Sequence, residues 1–443
     1  MLRWIIEQMQ TVDSLLFAAH VLPVVPRVTL ADHAVAIEAG RIVAVVPAAE
    51  AEARFSARTT LRLDRHALLP GFVNLHCHAA MNLLRGLADD LPLKTWLSDH
   101  IWPAETRHVG DEFVHDGTLL GMAEMLRGGV TCVNDMYFFP EAAARAALRA
   151  GMRASLGIIA IEFPTGYAPD AAGYLARGLA TRDHFDGEPL LSFCFAPHAP
   201  YTVADETLRR IVMLAEVLDI PIHTHIHETR GEVSEGITQH GVRPLERLSR
   251  LGLVSPRLVA AHCVHLEPGE LDLFAREGAS VAHCPSSNLK LASGIAPVAA
   301  MRSRGIRVGV GTDGAASNNR LDVMNEMRTA ALLAKGASGD AAAVGAHEAI
   351  EMATLAGAQA LGLGDRIGSI EPGKWADLAA VELSSLETVP MYDAASHVVY
   401  SAGREHVSHA WVAGRMLLDE RRLTTLDERD LHEKAAWWHS RIS

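Results

Sequence analysis

Two histidines separated by one residue, His76 and His78, close the apolar run Pro70-Gly71-Phe72-Val73-Asn74-Leu75-His76-Cys77-His78. Alternate side chains of a strand share a face, so the pair can grip one ion together. Two imidazoles do not complete a site. A catalytic Zn²⁺ centre takes three or four nitrogen or oxygen ligands from the protein and keeps one position for water. Further candidates stand in Pro221-Ile222-His223-Thr224-His225-Ile226-His227-Glu228, in Ala260-Ala261-His262-Cys263 and in Val308-Gly309-Val310-Gly311-Thr312-Asp313-Gly314. Alternation puts His223, His225 and His227 on one face, and periodicity alone does not choose among them. The sequence contains no H-E-x-x-H, P-C-x-x-C or G-x-S-x-G and no glycine-rich phosphate loop at a strand end. Five lysines occur, Lys94, Lys290, Lys335, Lys374 and Lys434, none near the fourth strand, where two-metal barrel hydrolases often bridge their ions with a modified lysine. A single metal is therefore expected.

Each candidate sits at or near the carboxyl end of a short apolar run, the arrangement of a parallel barrel whose active site is built at the C-terminal rim. The centre of the chain alternates such runs with amphipathic helices. A helix is expected over Asp111 to Arg127, stopped by Gly128-Gly129, and another over Glu141 to Ala150. Strands are expected at Phe72, Val130 to Met136, Arg153 to Ile161, Leu190 to Ala196, the His225 run, Leu258 to Ala261, Ser280 to His283 and Arg307 to Gly311. A helix from Asp205 to Leu218, with Asp205 as its N-cap, leads into the His225 run. Eight strands make a (β/α)₈ TIM-like barrel the expected architecture, in the α/β class. His198 and His283 add to the histidines at strand ends. Short strands with glycine turns fill residues 13–69 and return near Ile370 to Val381 and Val407 to Leu417. The two ends are expected to pair into one small β-sandwich domain, giving 1–69 and 369–443 as its halves, the latter with terminal helices, around a barrel of residues 70–368.

Composition bounds the partners. The 443 residues are 49% hydrophobic, ample for one large core and a small one. A net charge of -13 with no basic run argues against nucleic acid or an anionic membrane surface. No apolar run reaches the roughly 18 residues that span a bilayer. Cys77, Cys132, Cys194, Cys263 and Cys284 are odd in number, lack C-x-x-C spacing and lie in apolar contexts, as buried reduced thiols of a cytoplasmic protein would.

The set N-L-His76-C-His78, H-T-His225-I-H-Glu228, A-A-His262-C, H-C-P-S-S-Asn288-L-K and G-T-Asp313-G-A-A-S-Asn318-N resembles the amidohydrolase superfamily. Within it the sequence is similar, over nearly its whole length, to the 5-methylthioadenosine/S-adenosylhomocysteine deaminases and their chlorohydrolase relatives. The resemblance implies that His76, His78, His225 and Asp313 ligate one divalent metal. Zn²⁺ suits imidazole and carboxylate, and Fe²⁺ or Mn²⁺ fit the same donors. It further implies that Glu228 shuttles protons, that His262 orients the attacking water and that Asp313 accepts its proton. His227 is expected to be structural.

For the substrate, the resemblance implies a small-molecule adenine nucleoside. Trp96, in the long loop expected after the first strand, would pack on it, Glu105 would accept hydrogen bonds from ribose hydroxyls, and His198 would contact the purine. The arginine that some relatives use for the homocysteine carboxylate has no counterpart, since Glu162-Phe163-Pro164-Thr165-Gly166-Tyr167 stands in its place. This favours methylthioadenosine or adenosine over S-adenosylhomocysteine. Other enzymes of this barrel act on guanine, cytosine or triazine rings, but Glu105 and Trp96 favour a ribosyl substrate. A barrel that only bound metal would not require Glu228. A homo-oligomer, dimer or tetramer, is expected.

Overall fold

The computed structural model describes residues 9–443. Eight parallel strands lie side by side in sequence order: β5 (Phe72–Cys77), β6 (Val130–Asp135), β7 (Arg153–Ala160), β8 (Leu191–Pro197), β9 (Ile222–Ile226), β10 (Leu258–His262), β11 (Ser280–His283) and β12 (Arg307–Val310), preceded in the chain by β1–β4, whose ranges follow. Nearly every residue in them is buried, as strands covered on both faces require, which explains their continuous apolar runs. The seam between the last strand and the first is stitched by polar contacts. Asp313 N–H donates to His76 O at 2.9 Å. Asn74 Nδ2 donates to Thr312 Oγ1 at 2.8 Å, and Thr312 N–H donates to Asn74 Oδ1 at 2.9 Å. Glycine is required there: a Cβ on Gly309 would lie 2.6 Å from Leu75 Cδ2, and one on Gly311 would lie 2.7 Å from His76 N.

A second eight-stranded sheet draws on both ends of the chain. Its N-terminal strands are β1 (Gln10–Val21), β2 (Leu30–Glu38), β3 (Arg41–Pro47) and β4 (Phe55–Pro70), and its C-terminal strands are β13 (Leu378–Glu382), β14 (Val407–Val412), β15 (Arg415–Asp419) and β16 (Arg422–Leu423). The order is β16-β15-β14-β13-β4-β1-β2-β3, so the two ends meet where β13 runs antiparallel to β4. Gly40 and Gly414, both with φ of 75°, turn the β2–β3 and β14–β15 hairpins. Alternate residues of β1 enter different cores, Leu16 and Ala18 on one side and Leu15 and Phe17 on the other. Arg153, at the base of β7, joins barrel to sheet: its Nε donates to Asp377 Oδ2 at 2.8 Å and its Nη2 to Oδ1 at 3.2 Å, both side chains buried.

The structure corrects four local expectations. The stretch after β5 is helical rather than a loop: Leu93–Thr95, a π turn over Trp96–Ile101 and Trp102–His108 follow one another without a break. Asp205 does not cap its helix. Ala204 holds the cap position, and Asp205, already in the first turn, accepts from Arg247 Nε at 2.7 Å. Helices at Ala48–Arg54 and Ala394–Tyr400 interrupt the β-rich ends. A single helix, Glu428–Ile442, follows β16 and packs on the barrel helix Asp111–Arg127: Lys434 Nζ and Trp438 Nε1 donate to the buried Asp116 carboxylate at 2.8 and 3.2 Å. The expected end of Asp111–Arg127 is present, with Gly128 at its cap and Gly129 at φ 79°. No helix among the described residues is long and apolar enough to cross a membrane.

Candidate metal centre and active site

Parallel strands that end together bring together whatever side chains stand at their ends. β5 presents His76 and, one residue beyond it, His78; β9 presents His225; β10 ends on His262; the turn after β12 presents Asp313. Two groups have potential ligand atoms within 4.8 Å of one another, His76, His78 and His225, and His76, His262 and Asp313. Asp313 Oδ1 lies 3.5 Å from His76 Nε2 and 3.3 Å from His78 Nε2, so the four expected ligands surround one point. His262 and Asp313 hold left-handed backbone, at φ 70° and 62°, a strained conformation that clusters at functional sites.

The imidazoles are oriented from behind. His78 Nδ1 faces Met136 O and His225 Nδ1 faces His198 O at 2.6 Å. A carbonyl only accepts, so each ring carries its proton on Nδ1 and turns the bare Nε2 inward. His76 Nδ1 faces His223 Nε2 at 3.0 Å, while His76 Nε2 is buried without a hydrogen-bond partner. An unpaired buried nitrogen is costly, and a cation at the centre would satisfy it. The donor set, imidazole nitrogens with one carboxylate oxygen, fits Zn²⁺. Burial pulls His76 down to about 4 and His225 well below the ordinary histidine range, so both rings are neutral, as ligands must be. Burial opposes ionisation of Asp313 as well, but the surrounding imidazoles of His76, His78 and His262 hold it well below the usual carboxylate range.

The expected proton-handling groups face this point. His262 Nε2 lies 3.8 Å from Glu228 Oε2, with the opposite ring nitrogen, Nδ1, against Asn288 Oδ1 at 2.8 Å. Burial raises Glu228, tempered by His262; the net shift of His262 is also upward, because Glu228 and Asp313 outweigh its burial. Above them opens a cavity of about 350 Å³ lined by Trp96, Glu105, Tyr137, His198, Tyr201 and Glu228 among others, with aromatic walls and, among the described residues, no lysine or arginine. All three residues expected to bind substrate, Trp96, Glu105 and His198, therefore reach one space. Burial pushes Glu105 up to about 7, against the Tyr137 hydroxyl that donates to its Oε1 at 2.7 Å.

Other histidines separate from the cluster. Ile226 ends β9, His227 takes φ 51°, and the ring turns to accept from Leu245 N–H at 3.2 Å. His283 is buried outside both ligand groups, its ring nitrogens unpartnered and its affinity for a proton lowered to about 3 by burial. Sequence reasoning missed Tyr137, the place of His223 behind His76, and Ser287, whose hydroxyl donates to Asp313 Oδ2 at 2.6 Å. The S-S-N and H-T-H runs contained the signals for the last two, and nothing in the sequence marked Tyr137.

Residues 67–417 match the Amidohydrolase family profile. The chain belongs to this family. The amidohydrolase is 46% identical to the 5-methylthioadenosine/S-adenosylhomocysteine deaminase of Teredinibacter turnerae, over 98% of each chain. It is also 46% identical to the protein of the same description in Saccharophagus degradans, over 97% of each. Among solved structures, an adenosine deaminase from Xanthomonas campestris with bound zinc superposes with a TM-score of 0.97 at 50% identity, covering 98% of this chain and 99% of that one. The zinc complex of atrazine chlorohydrolase from Arthrobacter aurescens, at 23% identity, TM-score 0.89 and coverage of 96% and 100%, shares the fold.

Proposed function

We propose that this amidohydrolase hydrolyses the exocyclic amine of adenine nucleosides, converting methylthioadenosine, adenosine or S-adenosylhomocysteine with one water to the inosine analogue and ammonia. The observation that carries this reading is the convergence of three inward Nε2 atoms and Asp313 beneath a cavity that Glu105 and Glu228 both enter. The deaminase descriptions of the relatives and the zinc of the Xanthomonas structure support it. His76, His78, His225 and Asp313 would hold one divalent ion, Zn²⁺ first among the candidates. When bound, such an ion lowers the pKa of coordinated water to about 7.

The chain's own groups do the rest. Asp313 takes the proton of the attacking water, and His262, fixed by Asn288, orients that water toward the carbon bearing the amine. Burial raises the Glu228 carboxyl and so favours its protonated form, and Glu228 gives that proton to the ring nitrogen so that the ring accepts attack. The amine leaves as ammonia after receiving a proton relayed by the carboxylates. Trp96 packs on the nucleoside, His198 touches the purine, and Glu105 accepts from the ribose diol. With no lysine or arginine in the lining, a zwitterionic amino-acid tail lacks a cationic partner. Methylthioadenosine and adenosine are therefore the preferred substrates.

Ammonia release on methylthioadenosine, S-adenosylhomocysteine, adenosine, adenine and guanine tests the reading. Turnover of ribosyl substrates with both free bases inert supports it. A metal-loaded protein inert on all five overturns it, and a Glu228→Gln protein of wild-type activity overturns the proton-shuttle role. The five buried cysteines, none in a disulfide, support a reducing cytoplasm. Light scattering of the purified protein tests the expected homo-oligomer.

A further inference from the structure

Glu326 is fully buried on the helix Val323–Ser338, outside the cavity and without a cationic partner among the described residues. Burial pushes its carboxyl up to about 7, against the hydrogen bonds from Ser286 and Asn318 that lower it. Its hydrogen bonds show what the position does. Oε2 accepts from Ser286 N–H at 3.0 Å, near the start of the short helix Pro285–Lys290. Oε1 accepts from Asn318 Nδ2 at 2.9 Å, and the same nitrogen donates to Thr312 O at 2.7 Å. One carboxylate thus ties Ser286 to Asn318, two residues of segments well separated along the chain.

Those segments carry the partners of the reacting groups. From the first, Ser287 donates to Asp313 Oδ2 at 2.6 Å and Asn288 Oδ1 faces His262 Nδ1 at 2.8 Å. The second contains Asp313 itself, whose carbonyl neighbour Thr312 is the one that Asn318 holds. Ser286, Ser287 and Asn288 of the S-S-N-L-K run and Thr312 and Asn318 of the T-D-G-A-A-S-N-N run thus all take part in holding Asp313 and His262.

We propose that Glu326 is a positioning residue that sets Asp313 and His262 relative to each other by clamping the 285–288 and 312–318 segments. The inference rests on the roles given above to Asp313 and His262. In Glu326→Gln one acceptor becomes an amide donor facing either Ser286 N–H or Asn318 Nδ2, so one arm of the clamp opens while shape is kept. Groups that hydrogen-bond a metal ligand directly are worth about 10–100-fold in activity or metal affinity, and Glu326 acts one bond further out, so about tenfold is expected of it.

The test compares wild type and Glu326→Gln by kcat, KM, cobalt affinity and the visible spectrum of the cobalt-loaded proteins. The expected result is a kcat lowered about tenfold with KM little changed, weaker cobalt binding and a shifted cobalt spectrum. A folded variant with wild-type kcat and an unshifted spectrum overturns the proposal. If Glu326→Gln does not fold, Asn318→Ala, which opens the other arm at a partly exposed position, carries the same expectation and the same overturning result. A wild-type protein that binds no cobalt would overturn the reading of the metal centre, an outcome distinct from either.

Discussion

The Tyr137 hydroxyl, at the end of β6, donates to Glu105 Oε1 at 2.7 Å, so a residue of the barrel rim holds a residue of the helical lid. One carboxylate oxygen is thereby occupied, and the other is the one proposed to accept from the ribose diol. A hydrogen bond is worth about 0.5–1.5 kcal/mol, and more when the acceptor is charged, so Tyr137→Phe is expected to raise KM for adenosine up to about tenfold with kcat nearly unchanged. Glu105→Gln should do the same and should also narrow the difference between adenosine and its 2′-deoxy analogue. Steady-state kinetics on the two nucleosides checks both.

Metal removal should abolish activity and lower stability together. Extended dialysis against a chelator is expected to leave an inert protein with a reduced melting temperature, because a ligand bound only by the native state stabilises it by mass action. Added Zn²⁺ should restore both, with one equivalent sufficing. Titration of activity and melting temperature against zinc measures this directly.

The Arg153–Asp377 pair separates stability from catalysis. Both side chains are buried at the barrel base, away from the C-terminal rim, and Asp377 Oδ1 also accepts from Ala413 N–H at 2.7 Å. Asp377→Ala leaves a guanidinium buried without its partner, a change that costs about 3–5 kcal/mol. Denaturant unfolding should report that loss, while kcat of the surviving folded protein stays at the wild-type level.

Acid should loosen the terminal helix first at Asp116. Burial opposes ionisation of Asp116, but hydrogen bonds from His115, Lys434 and Trp438 lower it from 3.8 to about 2. A carboxylate depressed in the folded state stabilises fully above its unfolded value, and that contribution is lost as the pH falls through the folded one. Stability should therefore decline as the pH drops from 3.8 toward 2, with Trp438 fluorescence reporting the release of Glu428–Ile442. Asp116→Asn should show a weaker dependence over the same window.

The barrel was legible because buried parallel strands leave continuous apolar runs, and those runs end on His76, His225, His262 and Asp313. What alternation could not separate was His223, His225 and His227. The structure shows why: His223 points back to His76 Nδ1, and His227 has already left the strand at φ 51°. The lid read as a loop because Pro92, Lys94, Ser98 and Asp99 obscure its helical pattern and a π turn shifts the register of Trp96. Tyr137 left no trace in the sequence, since its role exists only once β6 and the lid stand opposite each other.

The seam of the barrel has a consequence for assembly. His76 and Asp313 lie at opposite ends of the strand order, yet they are joined by a backbone hydrogen bond across the closure. The proposed metal site is therefore a clasp whose two jaws are the first and last segments of the ring to be made. An incomplete chain ending before β12 would own three imidazoles and no jaw to close on them, so full-affinity metal capture would report that the ring has shut.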